Sequence, residues 1–254
     1  KTDNPFHDPR VRRAFSMAVN REKIVKSVTR LNQPVALSFV PPKVFAGYDP
    51  PIEAGVSYHP QNARKLLVEA GYGGGEGLPA IELLVNSNSG HEPTFEQIAN
   101  TWEQELGVDT ELVIKETKIF GNDRNNQNFM IARGGWFGDY TDPTTFLNMY
   151  VTGDGNNDGR FSNPDYDRLL DEATRQSDSV KRMQTLRGAE TILMELQGIA
   201  PIFHYIDLQM FDPSRVEQIH LNPLKFRRID MIKVRPPQEG PGSTALSEPR
   251  PTTH

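Results

Sequence analysis

The clearest candidate chemistry of the chain lies in residues 135–143, a stretch rich in glycine, aromatic and acidic residues (Gly-Trp-Phe-Gly-Asp-Tyr-Thr-Asp-Pro). Glycine lets a backbone approach a ligand closely, and Trp136 offers a large rigid face. Asp139 supplies a carboxylate that could counter a buried positive charge, which is costly to leave unpaired. Two other interpretations are open: Asp139 could cap a local turn, or Asp139 and Asp142 could work as an acid and base pair, as in glycoside hydrolysis.

A second acidic stretch, residues 154–159 (Asp-Gly-Asn-Asn-Asp-Gly), resembles the first half of a calcium-binding loop. Oxygen donors stand at loop positions 1, 3 and 5, and a glycine stands at position 6. The twelfth position, however, is Asp165 rather than the bidentate glutamate, and Pro164 stands where the loop should turn into its helix. The pattern disfavours calcium, and we predict no metal and no cofactor.

Other catalytic patterns are missing from the sequence. It contains no nucleophile-elbow, zinc-protease or phosphate-loop motif. Its six histidines are scattered without ligand spacing, and it has no cysteine for a thiolate site or a thiol nucleophile. We therefore predict that the protein is not an enzyme, with a carboxylate-dependent hydrolase as the alternative from that class.

Composition indicates a globular protein with a modest core. Of 254 residues, 36% are hydrophobic and 24% are charged, and the formal net charge is −5. This balance gives no reason to expect a nucleic-acid partner, which usually requires a basic surface. No apolar run approaches the roughly 20 residues that a membrane-spanning helix needs.

The apolar periodicity predicts a chain in which helices alternate with strands. Asp8 and Asn20 are candidate N-caps of the first two helices, and Pro60 begins a third. Further helices are predicted at 92–106, 165–176 and 179–197, and strands at 81–85, 108–114, 199–206 and 226–234, with a short apolar run at 129–132. Residues 34–60 are predicted to form a long ordered loop.

Several segments, taken in order, carry a family resemblance. They are NPFHDPRVRRAFSMAVNREKIV (4–25), VPP (40–42), YHPQNARKLLVEAGY (58–72), ELGVDTELV (105–113), ARGGWFGDYTDPTTFLNMY (132–150), GNNDGRFSNPDYDRLLDEA (155–173) and IAPIFHY (199–205). Together they resemble the oligopeptide-, dipeptide- and nickel-binding receptors of ABC importers, family 5 of the extracellular solute-binding proteins.

The resemblance implies a fold. Family members have two lobes around a ligand cleft, and this chain is similar to the second lobe of that type II periplasmic-binding-protein-like fold, with the first lobe absent. We expect an α/β lobe with a mixed sheet flanked by helices. Residues 1–205 would form the C-terminal ligand-binding lobe, 206–234 a return segment with the final strand, and 235–254 a proline-rich, disordered tail. Such a chain is either a fragment or one half of a split protein.

The resemblance also implies site residues. Asp139 matches the position that takes the amino terminus of a peptide in the oligopeptide-binding relatives. Arg133 matches a position that can meet a carboxylate, for which an arginine fork is suited, and His91 matches a position near the far end of the ligand. The candidate ligand-binding residues are Asp139, Trp136, Arg133, His91, Phe137 and Tyr140.

The implied function is that of the substrate-binding component of an ABC importer. It would bind a peptide or another small solute, such as a sugar or a metal chelate, in a cleft between two lobes and deliver it to a membrane permease. The expected location is periplasmic or extracellular, with a lipid anchor as one option and an export signal outside this chain. A degenerate scaffold of the same fold that binds no ligand is the alternative.

Overall fold

The computed structural model describes residues 4–217 and 229–236. The chain divides into two compact units, residues 1–206 and residues 207–254. The larger unit contains the α/β core, and the smaller unit contains an antiparallel strand pair. None of the helices in the described ranges has the length and apolar character to cross a bilayer.

Local capping signals determine where the first helices begin. Helix α1 (Pro9–Met17) starts after Asp8, whose Oδ1 accepts a hydrogen bond of 2.8 Å from the backbone N–H of Arg10. Helix α2 (Arg21–Lys23) starts after Asn20, whose Oδ1 accepts one of 3.0 Å from the N–H of Lys23, and it continues as a π-helical turn. Both predicted caps are confirmed, because each side chain accepts a hydrogen bond from a backbone N–H two or three residues further on, as an N-cap does.

The remaining helices of the larger unit are α3 (Pro60–Glu69), α4 (Glu92–Leu106), α5 (Thr117–Asn125), α6 (Thr144–Leu147), α7 (Pro164–Arg175) and α8 (Ser179–Glu195). The predicted helices correspond to α3, α4, α7 and α8. Helices α5 and α6 were not predicted. Gly107 ends α4 in the left-handed conformation (φ 71°), which a glycine adopts without steric cost.

A three-stranded parallel sheet positions the candidate site. Strand β1 (Ile81–Asn86) lies between β2 (Thr110–Lys115) and β3 (Ile131–Ala132). Because parallel strands end at the same edge of a sheet, the segments that follow β1 and β3 emerge side by side. Those two segments carry the residues that the sequence predicts to bind ligand.

The larger unit has two apolar cores, of which the first packs on this sheet. The first fills the space between α1, α3, α4 and one face of β1, and the indole nitrogen of Trp102 donates a hydrogen bond of 2.9 Å to the carbonyl of Phe15 within it. The second lies between α6, α7, α8 and residues of the long 34–60 loop. The predicted α/β lobe is thus confirmed. Its three-stranded sheet is parallel, and the antiparallel pair of the described chain belongs to the smaller unit.

Two arginines attach the segment after α8 to the first helices. Arg12 donates hydrogen bonds to the carbonyls of Leu196 (2.8 Å) and Gln197 (3.1 Å), which lie just beyond the end of α8. Arg21 is only 3% exposed and donates to the carbonyl of Pro201 at 2.7 Å. These contacts connect residues that are 180 to 185 positions apart in the sequence, and they fix the course of the segment that leads to Tyr205.

The predicted buried strand at 199–206 is wrong. Within that segment the structure has one isolated bridge, between Phe203 and Val35, and hydrogen bonds that join Ala36 to Ile202 and His204 to Pro34. A proline has no N–H to donate to a ladder, and Pro34 lies opposite His204, where a longer pairing would need a donor. The segment is extended and half-buried, but it does not join the sheet.

In the smaller unit, β4 (Val216–Glu217) pairs antiparallel with β5 (Lys233–Val234). The strand predicted at 226–234 is therefore limited to β5, because Ile229–Met231 form a 3-10 turn. Residues 226–228 of that prediction lie outside the described residues. The predicted tail at 235–254 also lies outside them, apart from residues 235–236.

A buried glutamate attaches the long loop to α8. Glu190 is 0% exposed, and its Oε1 accepts hydrogen bonds from the backbone N–H groups of Phe39 (2.7 Å) and Val40 (2.9 Å). Its Oε2 accepts a bond from the hydroxyl of Tyr48. Burial raises the pKa of Glu190 to about 7, although the hydrogen bonds oppose that shift. One side chain that titrates near neutrality thus orders this part of the loop.

We predict that the contribution of Glu190 to the stability of the fold decreases as pH rises. The pKa of Glu190 is higher in the folded than in the unfolded chain, so its stabilising contribution is complete below the unfolded pKa and is lost as pH rises through the folded pKa. Between pH 5 and pH 8 the free energy of unfolding should fall by roughly 1–3 kcal/mol in the wild type relative to Glu190→Gln. Urea denaturation of both proteins at each pH measures the difference.

Glu195→Gln is the matched control, because Glu195 is an exposed carboxylate at the end of the same helix. Its pH profile of stability should run parallel to that of the wild type. A Glu190→Gln profile that also runs parallel to the wild type would contradict the assignment of this titration to Glu190.

Candidate functional site

The candidate site lies at the carboxyl edge of the parallel sheet. Residues 87–91 follow β1, and residues 133–143 follow β3. The backbone N–H of Arg133 donates a hydrogen bond of 2.9 Å to the carbonyl of Leu84, so the second segment is held against β1 where it leaves the sheet. The extended segment that ends at Tyr205 provides the third part of the site.

Tyr205 is the centre of one group of candidate residues. Its hydroxyl accepts a hydrogen bond of 2.9 Å from Nη2 of Arg133 and lies 3.4 Å from Nε2 of His91. Its ring stacks on that of Phe137, with ring centroids 4.8 Å apart and an interplanar angle of 17°. The structure therefore brings three of the predicted residues together around a tyrosine that was not among them.

Gly135 makes the close approach of Tyr205 possible. A Cβ atom at position 135 would lie 2.7 Å from the Tyr205 hydroxyl and 3.2 Å from Nη2 of Arg133. Both distances are shorter than ordinary contacts, so any larger residue would displace the hydrogen bond between these two side chains. The glycine that the sequence suggested for close approach to a ligand also leaves room for a protein side chain.

His91 is half-buried beside a positive charge. Burial lowers the pKa of its imidazole, the charge of Arg133 lowers it further, and Glu92 acts in the opposite direction. The lowered pKa favours the neutral imidazole, whose Nε2 can accept the hydroxyl hydrogen of Tyr205.

Thr145 holds a second group of candidate residues. Its carbonyl accepts a hydrogen bond of 2.8 Å from the indole nitrogen of Trp136, and its hydroxyl accepts one of 2.8 Å from the backbone N–H of Asp139. Trp136 is partly buried and packs against the second core. Thr145 was not predicted, and no residue pattern in the sequence marks it.

The two acidic residues of this loop differ in their surroundings. Asp142 accepts two hydrogen bonds from the guanidinium of Arg182, at 2.7 and 3.0 Å, and two from Thr144. Burial alone would raise the pKa of Asp142, but these hydrogen bonds outweigh it and hold the pKa below its usual range. Asp142 therefore has the turn-capping role that the sequence also allowed for Asp139.

The carboxylate of Asp139 is exposed, although its backbone is fixed. Within residues 4–217 and 229–236, no group donates a hydrogen bond to this carboxylate and no cation pairs with it. Two exposed aromatic residues flank it in sequence: Phe137 and Tyr140 are 53% and 44% exposed. The Tyr140 hydroxyl lies 3.2 Å from Oγ1 of Thr144.

The calcium-like loop is held together by its own side chains and by Arg124 of α5. Asp154 caps the N–H of Asn156 at 2.8 Å, and Asp158 pairs with Arg124. The amide of Asn157, which is 1% exposed, bonds to the backbone of Val151 and Phe161. No group of three or more histidine, aspartate or glutamate side chains suited to a metal occurs in the part of the chain that the structure describes.

The chain is similar to proteins of known family. Residues 1–158 match the model for the middle region of bacterial extracellular solute-binding proteins, family 5. The periplasmic murein peptide-binding protein of Escherichia coli K12 is 36% identical over 82% of this chain, and the match covers 39% of that protein. The chain thus spans about two fifths of the length of this relative.

Solved structures give the same result. The unliganded open form of a periplasmic murein tripeptide-binding protein matches 91% of this chain, with a TM-score of 0.81 and 33% identity, over 45% of its own length. The oligopeptide-binding protein of Haemophilus influenzae, in complex with the peptide RPPGFSPFR, matches 92% of this chain with a TM-score of 0.79 and 26% identity, over 46% of its own length. The chain belongs to family 5 of the bacterial extracellular solute-binding proteins.

Proposed function

We propose that this chain forms one wall of a peptide-binding cleft in the substrate-binding component of an ABC importer. A first lobe would supply the other wall, and closure of the two lobes over the peptide would present it to a membrane permease. This function places the protein outside the cytoplasmic membrane, in the periplasm or at the cell surface. The relatives support a peptide ligand, because one is a murein peptide-binding protein and another was solved in complex with the peptide RPPGFSPFR.

The observation that carries the proposal is the carboxylate of Asp139, which is exposed and has no partner in the described chain. A peptide has a positive α-amine, and burying that amine without a counter-charge is costly. The hydrogen bond from its backbone N–H to Thr145 fixes the main chain at Asp139, so little backbone ordering is required when a ligand arrives. Asp139 would thus bind the amino terminus of the peptide.

The group around Tyr205 is suited to the other end of the ligand. Arg133 carries a permanent positive charge, and a guanidinium fits a carboxylate through two parallel hydrogen bonds. Its Nη2 is already oriented by the Tyr205 hydroxyl. Asp139 would accept hydrogen bonds from the amine, and Arg133 would donate hydrogen bonds to the carboxylate. A peptide would therefore bind in the cleft in one orientation.

Asp139→Asn should weaken peptide binding while the fold keeps its stability. In the two-lobe receptor, meaning this chain together with a first lobe, the loss of the charge-assisted bond should cost about 2–5 kcal/mol of binding free energy. Calorimetry with a peptide and with its N-acetylated form measures the effect. The wild type should discriminate strongly against the acetylated peptide, and the variant should not.

Asp142→Asn is the matched control at the neighbouring acid. It should instead lower the free energy of unfolding, by about 1–3 kcal/mol, because Arg182 loses a charged partner. If Asp139→Asn weakens both forms of the peptide equally, Asp139 acts through structure and the amine-binding role is excluded. If the wild-type receptor binds no peptide or other solute, the protein is a scaffold.

The isolated 254-residue chain should bind peptides weakly or not at all. Ligand sites bury 70–90% of the surface of a small ligand, and one wall leaves the opposite side of the peptide in water. Calorimetry of the isolated chain with a peptide library tests this expectation. A micromolar dissociation constant, which corresponds to a binding free energy of about −8 kcal/mol, would show that one lobe is sufficient and would contradict the two-wall cleft.

A further inference from the structure

The loop that carries Asp139 rests on helix α6. The hydroxyl of Thr145 accepts the hydrogen bond from the N–H of Asp139, and its carbonyl accepts the one from Trp136, each at 2.8 Å. A Cβ atom at Gly138 would lie 3.1 Å from Cγ2 of Thr145 and 3.3 Å from Cε2 of Phe146. The loop therefore lies directly against these two side chains of α6, and a shift of α6 would move Asp139.

Phe146 is held in turn by an aromatic residue of the long loop. The ring of Phe39 packs edge-to-face on the ring of Phe146, with centroids 5.4 Å apart and an interplanar angle of 82°. A second edge-to-face contact, at 5.2 Å, joins Phe39 to Tyr150, in the turn that follows α6. A helix of four residues is too short to be stable through its own hydrogen bonds. The position of α6 therefore depends on such packing contacts.

Glu190 fixes the backbone at Phe39. Its carboxylate is completely buried and accepts the N–H groups of Phe39 at 2.7 Å and Val40 at 2.9 Å, while Tyr48 donates to its other oxygen. Glu190 belongs to α8, which also contacts α6. Without this acceptor the two N–H groups would be left unpaired, which is costly for buried groups. A continuous series of contacts thus joins α8 to the loop that carries Asp139.

We propose that Glu190 and Phe39 are positioning residues that act on the carboxylate of Asp139. They act through Phe146 and Thr145, and Glu190 does so without touching the ligand, because it is completely buried. This inference rests on the proposed peptide-binding function and deepens it, since it names core residues that determine how strictly the site requires a free amine. Loss of either support should let α6 shift and should weaken the preference for a free amine.

The experiment compares the affinity for a peptide with a free amine with the affinity for its N-acetylated form. The probes are alanine peptides of two to five residues, and calorimetry on the two-lobe receptor gives both the affinity and the fraction of active molecules. In Phe39→Leu, which keeps an apolar side chain but removes the ring, the ratio of the two affinities should fall about three- to thirtyfold for the length that binds best.

Two substitutions of Glu190 test the first step of the series. Glu190→Ala removes the acceptor and should lower the ratio, as Phe39→Leu does. Glu190→Gln should restore the wild-type ratio, because its amide oxygen can accept the two N–H groups and its amide nitrogen can donate to Tyr48. If Glu190→Ala does not fold, Phe39→Leu decides the test.

Two comparisons separate positioning from a general loss of stability. Phe6→Leu is the matched control, because Phe6 is also partly buried and packs edge-to-face, on Phe15 in the first core at 4.9 Å. It should lower the stability and leave the ratio at the wild-type value. In an Asp139→Asn background, Phe39→Leu should no longer change the ratio, because the group that Phe39 positions has lost its charge.

Hydrogen exchange measured by nuclear magnetic resonance on the ligand-free receptor gives a direct readout of the loop. The indole proton of Trp136 and the backbone amide proton of Asp139 are both donated to Thr145. They should exchange faster in Phe39→Leu than in the wild type or in Phe6→Leu, because a shift of α6 opens both hydrogen bonds.

A wild-type ratio in both Phe39→Leu and Glu190→Ala overturns the inference while peptide binding stands. The same holds if Phe39→Leu still lowers the ratio in the Asp139→Asn background, because Phe39 would then act on another part of the site. If the wild-type receptor binds no peptide, or binds both forms equally, the amine-binding function fails and the inference fails with it.

Discussion

The parallel pairing of β1 with β3 is the constraint on which the candidate site depends. β3 has only two residues, yet its pairing aligns Leu83 with Ile131 and is followed by the hydrogen bond from Arg133 to Leu84. Because side chains alternate across a strand, a slip of one residue would turn Arg133 to the opposite face of the sheet. The short strand therefore determines whether the 133–143 segment reaches the same side as His91.

Buried and half-buried charged groups hold the irregular segments of the larger unit. Glu190 binds the backbone N–H groups of residues 39 and 40, while Arg12 and Arg21 bind carbonyls between residues 196 and 201. Each group satisfies backbone atoms that the irregular segment would otherwise leave unpaired. Tyr205 lies four residues beyond the carbonyl held by Arg21, so its position in the site depends on a contact made outside the site.

The family and much of the fold could be predicted from the sequence because their signals are local. Caps such as Asp8 act on the next turn, and apolar periodicity is visible within α4, α7 and α8. Helix α6 has four residues, too few to show a period, and α5 contains glycine and asparagine, which are poor helix formers. The segment 199–206 has a strand-like composition, but whether it pairs as a strand depends on the backbone donors that the neighbouring segment offers.

The site was predictable only in part. The 133–143 loop is recognisable from its residue types, and His91, Arg133 and Phe137 do lie around one side chain. The role of that side chain is not visible in the sequence, since Tyr205 and His91 are separated by 114 residues. The sequence also does not show that Asp142 is paired and Asp139 is not, because the partner of Asp142 is the distant Arg182.

The most direct test of the central claim is a crystal structure of the two-lobe receptor with a bound peptide. The amine of the peptide should lie within hydrogen-bonding distance, about 2.7–3.2 Å, of the Asp139 carboxylate, and the chain should run towards Arg133. Clear density for a peptide bound elsewhere, or bound in the cleft with Asp139 facing only water, would contradict the account.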